Sequence, residues 1–230
     1  MLDESQKQRL RELKASGRTP KEIARSLGVR RSDLEPLLRE EAARAAQAHP
    51  STLVGCWLNA GWSSGLSWVG HPEWTDPTGS IDGIPRLSTV VIARTHRYDK
   101  LSVATFLVDP QCLGVKNAIP PRVLDRLALR EYVGACFSTY GEPPLEIALD
   151  LATHLVHGAV AYARTLGFEP HPDFERARDH LGAWDGPSPI RFGHGGKPVF
   201  IQGPQDDPWA IVRTLERSVG RGNFEVVLAG

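Results

Sequence analysis

Two runs of β-branched and aliphatic residues, LSTVVIART (87–95) and LSVATFLVD (101–109), stand on either side of the polar pentapeptide HRYDK. Such runs suit a pleated, half-buried surface, and a five-residue polar connection closes them into an antiparallel hairpin. A lone hairpin is marginal in water, so the rest of the chain must cover it with strands or helices. That requirement sets the expected fold class as α+β, a mainly antiparallel sheet packed on two principal helices.

The first of those helices is read from PPLEIALDLATHLVHGAVAYARTLG, opening with Pro144 near its first turn and ending at Gly167. At 100° per residue, Leu149, Leu155, Val156, Ala159 and Val160 fall on one broad face, which is the core face. The second is DPWAIVRTLERSVG, capped by Asp206 or Asp207 and flanked by the strands KPVFIQGP and GNFEVVLAG. GHGG (193–196) precedes a strand and not a helix, so it reads as a hairpin turn and not as a phosphate loop. Residues 51–85 hold four of the six tryptophans, Trp57, Trp62, Trp68 and Trp74, among Gly, Ser, Asn and Pro. This is turn-rich chain whose indoles either line a ligand groove or pin the segment to the core.

The N-terminal 48 residues have a different character. Thr19, Pro20 and Glu22 form a capping box with proline at the first helical position, and Gly28 ends that helix after two turns. A charged helix bearing Leu10 and Leu13 precedes it. Ser32 and Glu35 form a second capping box that opens a third helix, with Pro36 one residue further on. The segment KEIARSLGV, with a short helix, a glycine turn and another helix, resembles the helix-turn-helix of bacterial regulators and resolvase-like domains. The resemblance covers about the first 45 residues and implies nucleic-acid contact, DNA over RNA. On that reading Arg18, Lys21, Arg25, Arg30, Arg31, Ser32 and Arg39 meet phosphate, while Asp33 and Glu35 place two acids beside it. The boundary with an α+β domain is expected between residues 48 and 51.

Charge supports that division. Lys and Arg total 27 and Asp and Glu 27, yet residues 1–44 carry a net +3 and the remainder −3. Attraction to phosphate therefore belongs to the N-terminal segment. Cys56, Cys112 and Cys136 lie far apart with no CxxC spacing, which argues against a zinc knuckle or a disulfide framework. The polar N-terminus and the lack of an apolar run near 18 residues point to a cytoplasmic chain with no membrane partner.

Six residues of the larger part are candidates for chemistry. Asp109 ends a predicted strand and Lys116 follows seven residues later, a carboxylate and an ammonium presented at one sheet edge. On the long helix Asp150 precedes His154 by four and His157 by seven, so the three share a face that could exchange protons or hold a metal, or simply be solvated. The spacing lacks the HExxH metalloprotease pattern, and the sequence assigns no metal and no cofactor. His171 joins this face if the chain folds back after Gly167. The expected function is a nucleic-acid-binding regulator whose C-terminal domain senses a small molecule, binds a partner or forms a homodimer. An enzyme acting on nucleic acid or nucleotides, and a protein-binding adaptor, are the competing expectations.

Overall fold

The structure is a computed structural model that describes residues 6, 9, 10, 13, 18–30, 32–34, 51–78 and 86–228. The chain divides into two compact units, Met1–Ser51 and Thr52–Gly230.

In the first unit, α1 (Pro20–Leu27) begins as its sequence requires. The Thr19 hydroxyl accepts from the Glu22 N–H, and the Glu22 carboxylate accepts from the Thr19 N–H at 2.8 Å. Gly28 ends the helix at φ +66°, a left-handed conformation that glycine adopts without a Cβ penalty. Ile23 and Ala24 pack with Leu10 and Leu34, rimmed by Leu13, Leu27 and Val29. Ser32 is already helical, so the cap position expected there lies inside the turn, and its hydroxyl donates to Asp33 at 3.4 Å. Arg31, Glu35, Pro36 and Arg39 lie outside the described residues.

The larger unit is an α+β structure with a five-stranded antiparallel sheet. Its strands are β1 (Leu53–Leu58), β3 (Ser88–Thr95), β4 (Leu101–Asp109), β5 (Gly114–Leu124) and β6 (Leu145–Glu146), in the order β5-β4-β3-β1-β6. The expected hairpin is β3–β4, with Thr95 opposite Leu101 and Ser88 opposite Val108. Two helices cover opposite faces. Val90, Ile92, Ala104 and Phe106 pack toward α3 (Leu149–Thr165), while Val91, Ala93, Leu101 and Val103 pack toward α2 (Arg126–Phe137). Burial on both faces explains why β3 reads as an unbroken apolar run and not as an alternation.

Several elements depart from the sequence expectation. The long helix begins at Leu149, not Pro144, because Leu145 and Glu146 pair with Leu58 and Trp57 as β6. The tryptophan-rich stretch contains β1, next to the sheet's centre, and β2 (Ser67–Trp68), which pairs with β7 (Ile190–Arg191). Trp62 and Trp74 are core residues, 1% and 3% exposed. β5 runs through Pro120 and Pro121, tolerated because it is the edge strand and its outer donors have no ladder to complete. Among the described residues of the larger unit, three helices of eleven residues or more stand where two were expected, α2, α3 and α5 (Pro208–Ser218). α5 joins β8 (Val199–Ile201) to β9 (Glu225–Val227) as a parallel pair, and Asp207 caps it by accepting from the Ala210 N–H.

One buried polar residue fixes how these strands meet. Asn59, fully buried just after β1, accepts from the Thr89 N–H at 2.7 Å and donates to the carbonyls of Ala60 and Leu87. Cys56 and Cys112 are buried and Cys136 partly so, all three as free thiols. Among the described residues no helix is long and apolar enough to cross a membrane.

Candidate functional site

α3 presents Asp150, His154 and His157 along one seam, as its sequence spacing requires; Asp150 is exposed to solvent, whereas the two histidines are largely covered. The Asp150 carboxylate lies 3.5 Å from His154 Nε2 and 3.9 Å from His71 Nδ1. His71 stacks on Trp74 with ring centroids 4.0 Å apart, and its Nδ1 is 2.9 Å from Glu73. Trp184 lies over the other end, stacked on His157 at 5.2 Å and edge-on to His154 at 5.3 Å. Phe174, opening the short helix α4 (Phe174–Ala177), meets His157 edge-on.

Two imidazole nitrogens in this cluster, His154 Nδ1 and His157 Nε2, are buried without a hydrogen-bond partner. Burial, and then the Arg178 charge, hold the His157 pKa below the ordinary imidazole range, so the ring is neutral near neutral pH. A cavity of about 400 Å³ opens beside it, lined by His157, Phe174, Trp184, Arg164 and Arg178 among others. Among the described residues no group of three His, Cys, Asp or Glu side chains could hold a metal ion.

His171 is placed differently. Its N–H donates to the Val115 carbonyl on β5, and its Nδ1 accepts from the Asp173 N–H, so it shapes the turn into α4. His71, Trp74 and Trp184 complete the cluster from loops distant in sequence, and no spacing signal links them to α3.

Asp109 and Lys116 border a second site. Asp109 ends β4 almost fully buried, and its carboxylate accepts from the N–H groups of Gln111, Cys112 and Leu113, which closes the turn into β5. Burial pushes its pKa up, against the pull of those donors and of Lys116. Lys116 is not a surface lysine: its Nζ lies 2.7 Å from Asp206 Oδ2, with the two side chains 16% and 13% exposed. Asp206 Oδ2 also accepts from the Gly203 N–H. Beside them is a cavity of about 120 Å³, walled by Leu87, Val199 and Ile201 and bordered by Arg86, Asp109, Gln111 and Lys116.

In the first unit, Arg18, Lys21, Arg25, Arg30 and Ser32 are all exposed. Lys21 and Arg25, four apart on α1, share a face. Arg30 Nε is paired with the Asp33 carboxylate at 3.1 Å, so one of the basic groups is already partly neutralised. Comparison of the chain with protein-family models, with curated proteins and with solved structures gives no match.

Proposed function

We propose that this chain is a nucleic-acid-binding regulator, preferring DNA to RNA, in which the first unit contacts phosphate and the larger unit responds to a small molecule. One observation carries the reading. The left-handed turn at Gly28 lets the chain reverse between α1 and the helical Ser32–Leu34, so that Leu34 buries against Ile23 while Lys21, Arg25 and Arg30 remain exposed. That is the packing logic of a helix-turn-helix, and the local net charge of +3 supports phosphate contact. A homodimer would present two such units to adjacent half-sites.

Fluorescence anisotropy of a labelled random duplex, titrated with the full chain at several salt concentrations, tests the reading. Each phosphate contact contributes a slope of about −0.9 to log K against log salt. Lys21→Ala with Arg25→Ala should lower the slope by about two such contacts and weaken binding to all sequences alike. An unchanged slope and affinity would leave the first unit as a protein-binding adaptor, the role that the Arg30–Asp33 pair favours.

A further inference from the structure

Where α2 packs over β1 and β4, a cavity of about 310 Å³ remains, with Val54, Trp57, Leu101, Leu129 and Val133 in its wall. Leu101 and Leu129 are buried, but Val54, Trp57 and Val133 are only partly so, which leaves hydrocarbon and an indole in contact with water. The indole has a fixed seat. A Cβ at Gly55 would lie 2.5 Å from Trp57 Cζ2, so the ring rests against the strand where glycine makes room for it.

Two further side chains line the cavity, Arg126 and Arg130, four apart on α2 and therefore on one face. Both are exposed, and among the described residues neither has a hydrogen-bond or ion-pair partner. The acids beside them in sequence are turned elsewhere: Asp125 accepts from the Ala128 N–H and lies 3.5 Å from Lys100 Nζ, and Glu131, one residue from Arg130, lies off the shared face. Among the described residues no carboxylate lines this cavity. The cations at the other two cavities differ, since Arg164 and Arg178 are paired with Glu169 and Glu175, and Lys116 with Asp206.

This lining restricts the occupant. A metal cation is repelled by two guanidinium groups and finds no carboxylate. An inorganic anion satisfies the arginines but leaves the indole and the aliphatic wall in water, and a neutral hydrocarbon does the reverse. A hydrocarbon or aromatic body ending in one carboxylate meets both parts, and the planar guanidinium fork matches the two carboxylate oxygens. The volume lies at the lower end of the roughly 300–1,000 Å³ typical of small-molecule pockets.

We infer that this cavity binds an amphipathic monocarboxylic acid, its body packed on Trp57, Leu129 and Val133 and its carboxylate held by Arg126 and Arg130. The inference rests on the ligand-responsive part of the proposed function, to which it gives a ligand class, and is independent of nucleic-acid contact.

The test is calorimetric titration and thermal melting of the full chain with phenylbutyrate and octanoate. Phenylbutyramide supplies the uncharged body, phenylbutylamine the opposite charge and acetate the charge alone. At least one of the two acids should bind saturably, one molecule per chain, and raise the melting temperature; the amide and acetate should bind at least about tenfold more weakly and the amine not detectably. Arg126→Gln and Arg130→Gln, both at exposed positions, should each weaken binding about tenfold. Val133→Trp, which fills the cavity from its helical wall, should abolish binding with the melting temperature held or raised. The arginine variants keep the test decisive if that one folds poorly. Absence of saturable binding by both acids overturns the inference, as does equal binding of acid and amide, or parental affinity in the folded variants. Lys21→Ala with Arg25→Ala should lose duplex and keep the acid, so the two readings fail separately.

Discussion

Lys116 Nζ lies 2.7 Å from Oδ2 of Asp206, an ion pair that ties β5 to the turn before α5 across ninety residues of chain. Both side chains are mostly buried, so the pair should be judged by what each member costs when stranded. Asp206→Asn leaves the ammonium uncompensated and should lower the stability of the larger unit by about 3 kcal/mol. Lys116→Met combined with Asp206→Asn keeps an acceptor for the Gly203 N–H and should recover most of that loss. Urea unfolding followed by circular dichroism gives both numbers, and equal destabilisation by the single and double variants would remove the pair from the account.

Acid should destabilise the larger unit through two histidines. Burial chiefly lowers the pKa of His157 and of His180, whose Nε2 lies 3.0 Å from the Ser102 hydroxyl. Below the ordinary imidazole value of 6.5 the unfolded chain takes up protons that the folded chain refuses. Their contribution is therefore complete above 6.5 and is lost as pH falls toward the lowered folded values, at less than about 1.4 kcal/mol per pH unit for each ring. Asp109 has the opposite sign: its raised pKa favours folding at low pH, an advantage lost as pH rises through the folded value. Melting temperatures between pH 7 and 5 should fall less steeply for His157→Gln with His180→Gln than for the parent. Parallel profiles would mean that neither ring is held neutral.

Gly158 lies in the middle of α3, where alanine would raise helix propensity by about 1 kcal/mol. A Cβ there would nonetheless meet the Phe192 ring at 2.6 Å and Ser188 Cβ at 2.7 Å. Gly158→Ala should destabilise the protein by about 1–3 kcal/mol, the overpacking cost exceeding the propensity gain. A thermal melt decides the sign.

Asp33 should act as a brake on the first unit. Asp33→Asn releases Arg30 from its pair at 3.1 Å and removes a negative charge beside the basic residues. If Arg30 meets phosphate, affinity for random duplex at low salt should rise about threefold to tenfold, and the gain should shrink as salt screens it. The gain should vanish in an Arg30→Ala background. A gain that persists there would assign the effect to net charge alone.

The hairpin was legible because two β-branched runs flank one polar connection, and local preference and tertiary context agree in β3 and β4. β1 was hidden because LVGCWL sits among the glycines and tryptophans that signal turns, and its pairing with β3 and β6 is a tertiary fact. β5 was hidden by Pro120 and Pro121, which argue against a central strand but not against an edge. The seam of Asp150, His154 and His157 followed from helical spacing. Its cover did not, since His71 and Trp184 arrive from loops whose destination no local pattern encodes. Asp206 and Asp207 looked interchangeable as caps, and only the position of Lys116 separates their roles. For the first unit, the capping box and Gly28 were legible because both act within a few residues.

Asn59 gives the sheet a means of rejecting misalignment. Apolar side chains on both faces leave β3 tolerant of a one-residue slip, because either alignment would bury hydrocarbon. The amide of Asn59 is not tolerant: its oxygen reaches the N–H of Thr89 and its nitrogen the carbonyl of Leu87, groups bracketing Ser88. A slipped β1 would carry that amide into hydrocarbon with its donors and acceptor unmet, at a cost comparable to much of a domain's net stability. One polar side chain thus serves as a proofreading element, penalising the shifted sheet more than it rewards the correct one.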